Sequence, residues 1–488
     1  LKHRGNESDY STIELKPALV NFFRNSSPVR IVFLLLLLLL IRIPVITVLG
    51  LPLTTQELNW MLVGERMHQG FFLYTGIWDS ISPLSAVVYW LIDWQLGRSL
   101  LAYHILALVV TALQVVLFNH ITNKNQLFPE NSSLPGLVYL VLMNISFDFF
   151  TLSPVLLSMT FVLLALDRLY IQIDQRVKND TVFEAGFYLS IAALFHLPTG
   201  ILIVFALLSL LFFGSSDFRQ YFLLIFGFTF PLGLTLLIFY LIGNYEGFIQ
   251  QFTSTLFTLD RQYFLDLRGL VLILLLPTTL ALLGISKVVG SMRYINYQKR
   301  CQQIMVVYLI FAVLYVIITP QLSPVQFMLT IPGVAFFAPP YFFHLERKWI
   351  AEVSFVVLSA FTLLLLFSSL LPTLPTYQLV GLDRLKVKSS VLRQPIRNKR
   401  VLVLGEGIGE YQYNQAATPY LNWQLAKDEL LDLNNYQSVV NIYHNFEKDL
   451  PDVIIDREQV AEKLFARIPV LARRYESRQE KGVYWRKR

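Results

Sequence analysis

One cysteine, Cys301, stands in 488 residues. No disulfide and no cysteine-based metal site can form within one chain, and the redox compartment stays open. Charge is scarce too. Asp, Glu, Lys and Arg make up 15% of the sequence, against about 25% in a soluble domain. No P-loop, zincin motif or nucleophile elbow appears. The run Gly405-Glu406-Gly407-Ile408-Gly409 lacks the G-x-G-x-x-G spacing of a nucleotide fingerprint and reads as a turn. No internal repeat stands out. The chain opens on Leu1 rather than Met, as a trimmed or non-standard start would. No cleavable signal peptide is expected, because about thirty polar residues precede the first apolar run.

What fills the sequence is apolar. Hydrophobic residues reach 55%, with 38 Phe and 24 Tyr, and the mean hydropathy is +0.53. A water-soluble globule of this size could not hide that much apolar surface. Soluble, nucleic-acid-binding and disordered classes are disfavoured, despite a net charge of +7. A spanning helix needs about 20 mostly apolar residues. Eleven stretches are expected to span: 30–50, 99–121, 133–148, 152–173, 184–198, 199–214, 219–243, 268–288, 303–319, 322–345 and 350–371.

Short cytoplasmic loops are enriched in Lys and Arg. An inner N-terminus places Lys16, Arg24 and Arg30 inside, then Lys124, Arg176, Lys178 and Arg219. Lys287, Arg293, Lys299, Arg300, Arg347 and Lys348 follow on the same side. The opposite turns, such as 197–199 and 320–323, are nearly uncharged. An odd number of spans leaves the C-terminus outside. Residues 372–488 hold 19 of the 40 Lys and Arg and 14 of the 33 Asp and Glu. Two apolar strands, Val401 to Leu404 and Val453 to Ile455, lie among helical patterns there. The expected architecture is a polytopic α-helical membrane protein of about eleven spans. It divides into a cytoplasmic segment 1–29, a transmembrane domain 30–371 and a small outer α/β domain 372–488.

The first outer loop, 51–98, is the most informative stretch. Leu58, Met61, Leu62, Glu65 and Met67 suggest a short amphipathic helix, and Pro83 to Leu96 a second, aromatic one. Both would lie in the interface, where Trp and Tyr concentrate. The order of features is Glu57, then Gly70-Phe71-Phe72-Leu73-Tyr74, Trp78-Asp79, Ser82-Pro83-Leu84 and Gly97-Arg98-Ser99-Leu100-Leu101-Ala102. This order resembles the integral-membrane glycosyltransferases of the GT-C superfamily, of the protein O-mannosyltransferase and lipid A aminoarabinose-transferase type. The resemblance implies a GT-C-like fold and an inner-membrane transferase. Its donor would be a sugar linked to a polyprenyl phosphate. The acceptor, whether lipid, glycan or protein, would sit at the outer face.

The resemblance also assigns roles. Glu57 stands where the family's acceptor-activating acid stands; the plain alternative is a helix-start carboxylate favoured by the helix dipole. The family often has two consecutive acids there, and this chain has Gln56-Glu57. That weakens a metal role, although some members need a divalent metal and the question stays open. Asp79 would orient an acceptor or simply shape a turn. Asp148, amid aromatics at a span end, is costly without a partner and would substitute for an acid that the family places slightly later. With Glu57, these form the expected catalytic set. His196 would contact phosphate or be satisfied by backbone. Arg261 and Arg268 would bind phosphate or belong to a solvated loop. Tyr74 and Trp78 would line the substrate site. Arg42 would snorkel or pair within the bundle. The turn 319–327, where relatives carry a basic or histidine motif, has no charge.

The pocket is expected between the first outer loop and the turns that carry Asp148 and His196. A second reading is a non-catalytic GT-C-like scaffold subunit of a cell-envelope assembly, with protein partners there. A transporter is a third, disfavoured by the lack of repeats. Membrane lipids are expected neighbours in every case, and nucleic acid in none.

Overall fold

A computed structural model describes residues 19–174, 179–213, 217–257, 262–289, 294–345, 347–388, 396–477 and 482–487. In a bilayer, backbone polar groups must pair within their own segment, and the apolar runs accordingly form helices. After α1 (Leu19–Phe23), α2 (Pro28–Pro44) continues into a π-helical turn, Val45–Leu49. The loop 51–98 holds α3 (Thr55–His68) and α4 (Pro83–Leu96). Then come α5 (Leu100–Lys124), α6 (Leu134–Leu142), α7 (Pro154–Asp174), α8 (Asn179–Phe195) and α9 (Leu202–Phe213). Further along lie α10 (Phe218–Leu241), α11 (Tyr245–Phe257), α12 (Leu267–Val289), α13 (Asn296–Ile318), α14 (Ile331–Phe343) and α15 (Lys348–Leu370). A two-residue parallel pair, β1 (Gln262–Tyr263) and β2 (Gln321–Leu322), joins two turns.

Eight helical segments, not eleven, are long and apolar enough to cross a membrane among the described residues. The chain is a multi-pass membrane protein. The three other expected spans fall on α6, α8 and α9, with 9, 17 and 12 residues. All nine residues of α6 are buried. Its apolar run records the protein core rather than lipid contact, a distinction that hydropathy does not make. The segment Pro324–Phe343 is likewise 89% buried, whereas Phe218–Leu241 is 17% buried and turns Phe222, Phe226 and Leu237 outward.

Arg42 is fully buried and does not snorkel. Its Nε donates to Asn144 Oδ1 (3.1 Å), Nη1 to Thr111 Oγ1 (2.9 Å) and Nη2 to the Met143 carbonyl (2.8 Å). The guanidinium also lies over the Phe150 ring at 4.4 Å. An intramembrane cation persists when its donors are spent inside the bundle in this way.

After α16 (Tyr377–Val380), the C-terminal part forms a mixed five-stranded sheet. Its strands are β3 (Arg400–Leu404), β4 (Gln415–Ala416), β5 (Val453–Asp456), β6 (Tyr475–Ser477) and β7 (Val483–Arg486), in the order β4-β3-β5-β7-β6. β3 runs parallel to β4 and β5, with Val401 opposite Val453 and Leu404 opposite Asp456. The helices α17 (Trp423–Leu431), α18 (Tyr436–Lys448), α19 (Ala461–Arg467) and α20 (Pro469–Ala472) accompany it. Side chains alternate faces along a strand. Val401, Val403, Val453 and Ile455 join the apolar cluster that runs through the membrane body. Leu402, Leu404 and Ile454 form the domain's own core. Both faces of β3 and β5 are therefore buried, and the sheet is laid onto the body.

Polar clamps fix that docking. Arg66 of α3 pairs with Asp449 at 2.6 Å, both side chains at most 2% exposed. Asp449 also pairs with Arg400 and accepts from the Thr418 N–H at 2.8 Å. Arg98 pairs with Glu65 and donates to the carbonyls of Tyr411 (2.7 Å) and Asn414 (2.9 Å). The Trp78 N–H donates to the Pro419 carbonyl (2.7 Å), and the Asn422 N–H to the Trp78 carbonyl (3.1 Å).

Candidate functional site

A cavity of about 260 Å³ lies between the loop 51–98, the turns at 153–155, 196–198 and 319–326, and the C-terminal domain. Helix α3 supplies its most regular wall. Thr54 caps the helix, its side chain accepting from the Glu57 N–H. Residues three and four apart share a helix face, so Gln56, Asn59 and Trp60 line the cavity together. Glu57, about 100° round the axis, does not line it.

Glu57 is instead fully buried, with Oε1 3.2 Å from His104 Nε2 on α5. This corrects the expectation that Glu57 is the acid facing the substrate pocket. Close approach of α3 to α4 enforces the arrangement: a Cβ on Gly64 would sit 2.5 Å from the Tyr89 carbonyl oxygen. Trp60 stacks on Tyr89 (5.8 Å) and Tyr89 on Tyr103 (5.5 Å), closing that side.

The buried carboxylate that lines the cavity is Asp79. Its Oδ1 accepts from the Ile81 N–H at 2.8 Å, an Asx-type turn. Oδ2 accepts from Asn59 Nδ2, also at 2.8 Å. Burial raises its pKa above the ordinary carboxylate range, partly offset by these two hydrogen bonds. Tyr74 supports the turn from below. Its hydroxyl donates to the Ile81 carbonyl at 2.6 Å. Its own carbonyl accepts from Gln251 Nε2 at 2.8 Å, and its ring packs on Phe239 and Phe248. Tyr74 positions the loop and does not line the cavity.

His196 lines the cavity as well. It follows α8, and Ser82 Oγ accepts from the Leu197 N–H (3.0 Å), which ties its turn to the start of α4. His196 Nε2 lies 2.9 Å from the Tyr315 hydroxyl, which donates to Gln326 Oε1. With that proton committed, Nε2 is the donor to Tyr315, and Nδ1 is left as the acceptor.

Asp148 is buried beside the site without lining it. Its Oδ2 accepts from the N–H of Val325, a cavity residue, at 2.8 Å. Burial pushes its carboxyl up to about 6, partly offset by the Val325 N–H. Two expected substrate contacts are elsewhere. Trp78 joins the loop to the C-terminal domain, its ring edge-on to Tyr420 at 5.2 Å. Arg268 is exposed at the start of α12 and lines nothing here. Arg261 lies outside the described residues.

Several lining residues escaped the sequence reading. The Gln56, Asn59 and Trp60 stripe was legible as i, i+3, i+4 spacing on a short helix. Gln321, bonded to Gln56 at 2.9 Å, sits in the uncharged turn 319–327. Glu406, Asn422, Trp423 and Gln424 come from the C-terminal domain, and no local signal marks them. Among the described residues, no Lys or Arg lines the cavity. No group of three His, Cys, Asp or Glu side chains could hold a metal ion among those residues either.

The structure is similar to solved structures at low identity. One is ArnT from Cupriavidus metallidurans bound to undecaprenyl phosphate, with 12% identity and a TM-score of 0.49, covering 72% of this chain and 66% of that one. Another is the oligosaccharyltransferase of Archaeoglobus fulgidus in the apo form, with 10% identity and a TM-score of 0.44, covering 73% and 55%. The chain thus spans just under two thirds of the first and about half of the second. No curated protein matches the sequence. A family model described as a family of unknown function, DUF6427, matches residues 83–375, more than half of the sequence, and the chain belongs to that family.

Proposed function

We propose that this protein is a GT-C-type membrane glycosyltransferase. It moves a sugar from a polyprenyl-phosphate-linked donor to an acceptor at the outer face of the inner membrane. In this reading the N-terminus is cytoplasmic and the C-terminal domain lies outside. Asp79 carries the proposal: one buried carboxylate, fixed by Asn59 and Ile81, lines a polar cavity beside apolar helices. A base with a raised pKa is closer to the operating pH, where general-base catalysis is most effective.

In the proposed step the acceptor hydroxyl gives its proton to Asp79. Its oxygen bonds to the anomeric carbon with inversion. The carbon–oxygen bond to phosphate breaks, and the prenyl phosphate leaves with the electron pair. His196, held through Tyr315, is a neighbouring polar contact for substrate hydroxyls. The test is Asp79→Asn assayed for transfer from a lipid-linked sugar in proteoliposomes. Loss of general-base assistance should slow transfer about 10²–10⁴-fold. Transfer at the wild-type rate would remove Asp79 as the base.

A second reading is a non-catalytic scaffold subunit of an envelope assembly. One observation favours it: α3 turns Gln56, an amide, toward the cavity, and the adjacent acid away. Wild-type protein that fails to transfer while remaining folded in an envelope complex would support this reading.

A further inference from the structure

We propose that the C-terminal domain is a specificity element, in which Glu406 and Trp423 roof the cavity and select a saccharide that bears no acidic group. This rests on the reading above that the cavity receives a sugar. Ligands of open parallel sheets bind beyond the carboxyl ends of the strands. Here β3 ends at Leu404, and Gly405, Glu406 and Gly407 follow as lining residues. Gly405 and Gly407 adopt φ of 131° and 97°, a region that favours glycine, so the turn projects Glu406 between them.

The turn is braced. Arg457 Nη1 donates to the Glu406 carbonyl at 2.5 Å, and Arg457 pairs with Glu410 at 2.5 Å. The Glu406 carboxylate accepts from Gln424 Nε2 at 2.6 Å, and Gln424 Oε1 accepts from Lys427 Nζ at 2.5 Å. Lys427 is thus engaged with the amide and is not among the lining residues.

The chemistry of the walls sets the preference. Gln56, Asn59 and Gln424 offer amides that both donate and accept, which suits uncharged hydroxyls. Trp60 and Trp423 add flat apolar faces with one N–H donor each. The charged lining groups among the described residues are carboxylates, Asp79 on the loop side and Glu406 on the roof. A uronic acid would bring a third negative charge beside Asp79 and Glu406, with no Lys or Arg among the described lining residues to meet it. At a few ångströms and an intermediate dielectric, that repulsion weakens binding about tenfold or more.

The test uses the full-length protein in nanodiscs, with no lipid donor, titrated calorimetrically with methyl glycosides. The probes are the methyl glycosides of glucose, galactose and mannose, and of their uronic acids. At least one neutral glycoside should bind, with its uronate about tenfold weaker. Glu406→Gln should narrow that gap, and Trp423→Ala should weaken neutral and acidic forms together. Glu406 is exposed, so its variant is expected to fold. Equal binding of neutral and acidic partners, an unchanged gap in Glu406→Gln, or no binding by any probe would each overturn the proposal. Charge discrimination without transfer would leave it standing while the transferase reading falls. Transfer without discrimination would do the reverse.

Discussion

Replacing Arg66 by methionine should loosen the C-terminal domain from the membrane body. Arg66 lies over the Phe71 ring at 3.6 Å and pairs with Asp449. It also donates to the carbonyls of Ala416 (3.2 Å) and Thr418 (3.3 Å). Methionine keeps much of the apolar stem and removes every donor. Breaking a buried ion pair from one side costs about 3–5 kcal/mol. Asp449 retains Arg400 and the Thr418 N–H, so the lower end, about 3 kcal/mol, applies. That shifts the docking equilibrium about 10²-fold. Hydrogen exchange in detergent reads it directly. The Trp78 and Asn422 amides, which bond across the junction, should exchange about 10²-fold faster. The β3–β5 ladder should change little. Adding Asp449→Leu should cost less than the sum of the single changes, because the buried carboxylate is then gone and the Arg400 left behind is partly exposed to solvent. Junction exchange within twofold of wild type in Arg66→Met would refute the argument.

Glu57→Gln is expected to lower thermal stability by about 1–3 kcal/mol through its contact with His104. Transfer should stay within a few-fold of wild type, as a lipid-linked donor assay would show. Transfer should rise with pH through the elevated Asp79 pKa, since the base must be ionised; a pH–rate profile checks this. Asp148 titrates near 6 in the fold, above its unfolded value of about 3.9. Its stabilising contribution is therefore present below the unfolded pKa and lost as pH rises through 6. Melting temperature should fall from pH 5 to 7, and Asp148→Asn should flatten that slope. Gly64→Ala should cost about 1–3 kcal/mol, measured by thermal unfolding, because the new methyl would meet the Tyr89 carbonyl at 2.5 Å.

Part of the site was legible in the chain. The aromatic loop with Asp79, and the turn holding His196, stand out as polar residues at the ends of apolar runs, and both line the cavity. Glu57 misled because sequence order cannot report rotation about a helix axis. Whether Gln56 or its neighbour faces a groove depends on how α3 packs on α4 and α5. Trp78 and Tyr74 misled for a related reason: an aromatic in a connecting loop can face a ligand or lock the loop in place. Here Pro419, Asn422 and the α10–α11 corner take them.

Composition and local pattern alone determined the membrane class, the helical body and two apolar strands of the C-terminal sheet, Val401 to Leu404 and Val453 to Ile455. Those properties follow from apolar run length and side-chain periodicity, which act within a few residues. Only the tertiary structure decided which apolar runs face protein instead of lipid. It also decided which acid meets the cavity, and that a domain more than 300 residues further along roofs it. These depend on contacts between distant segments, such as Arg66 with Asp449 and Asn59 with Asp79, whose geometry no stretch of sequence carries by itself.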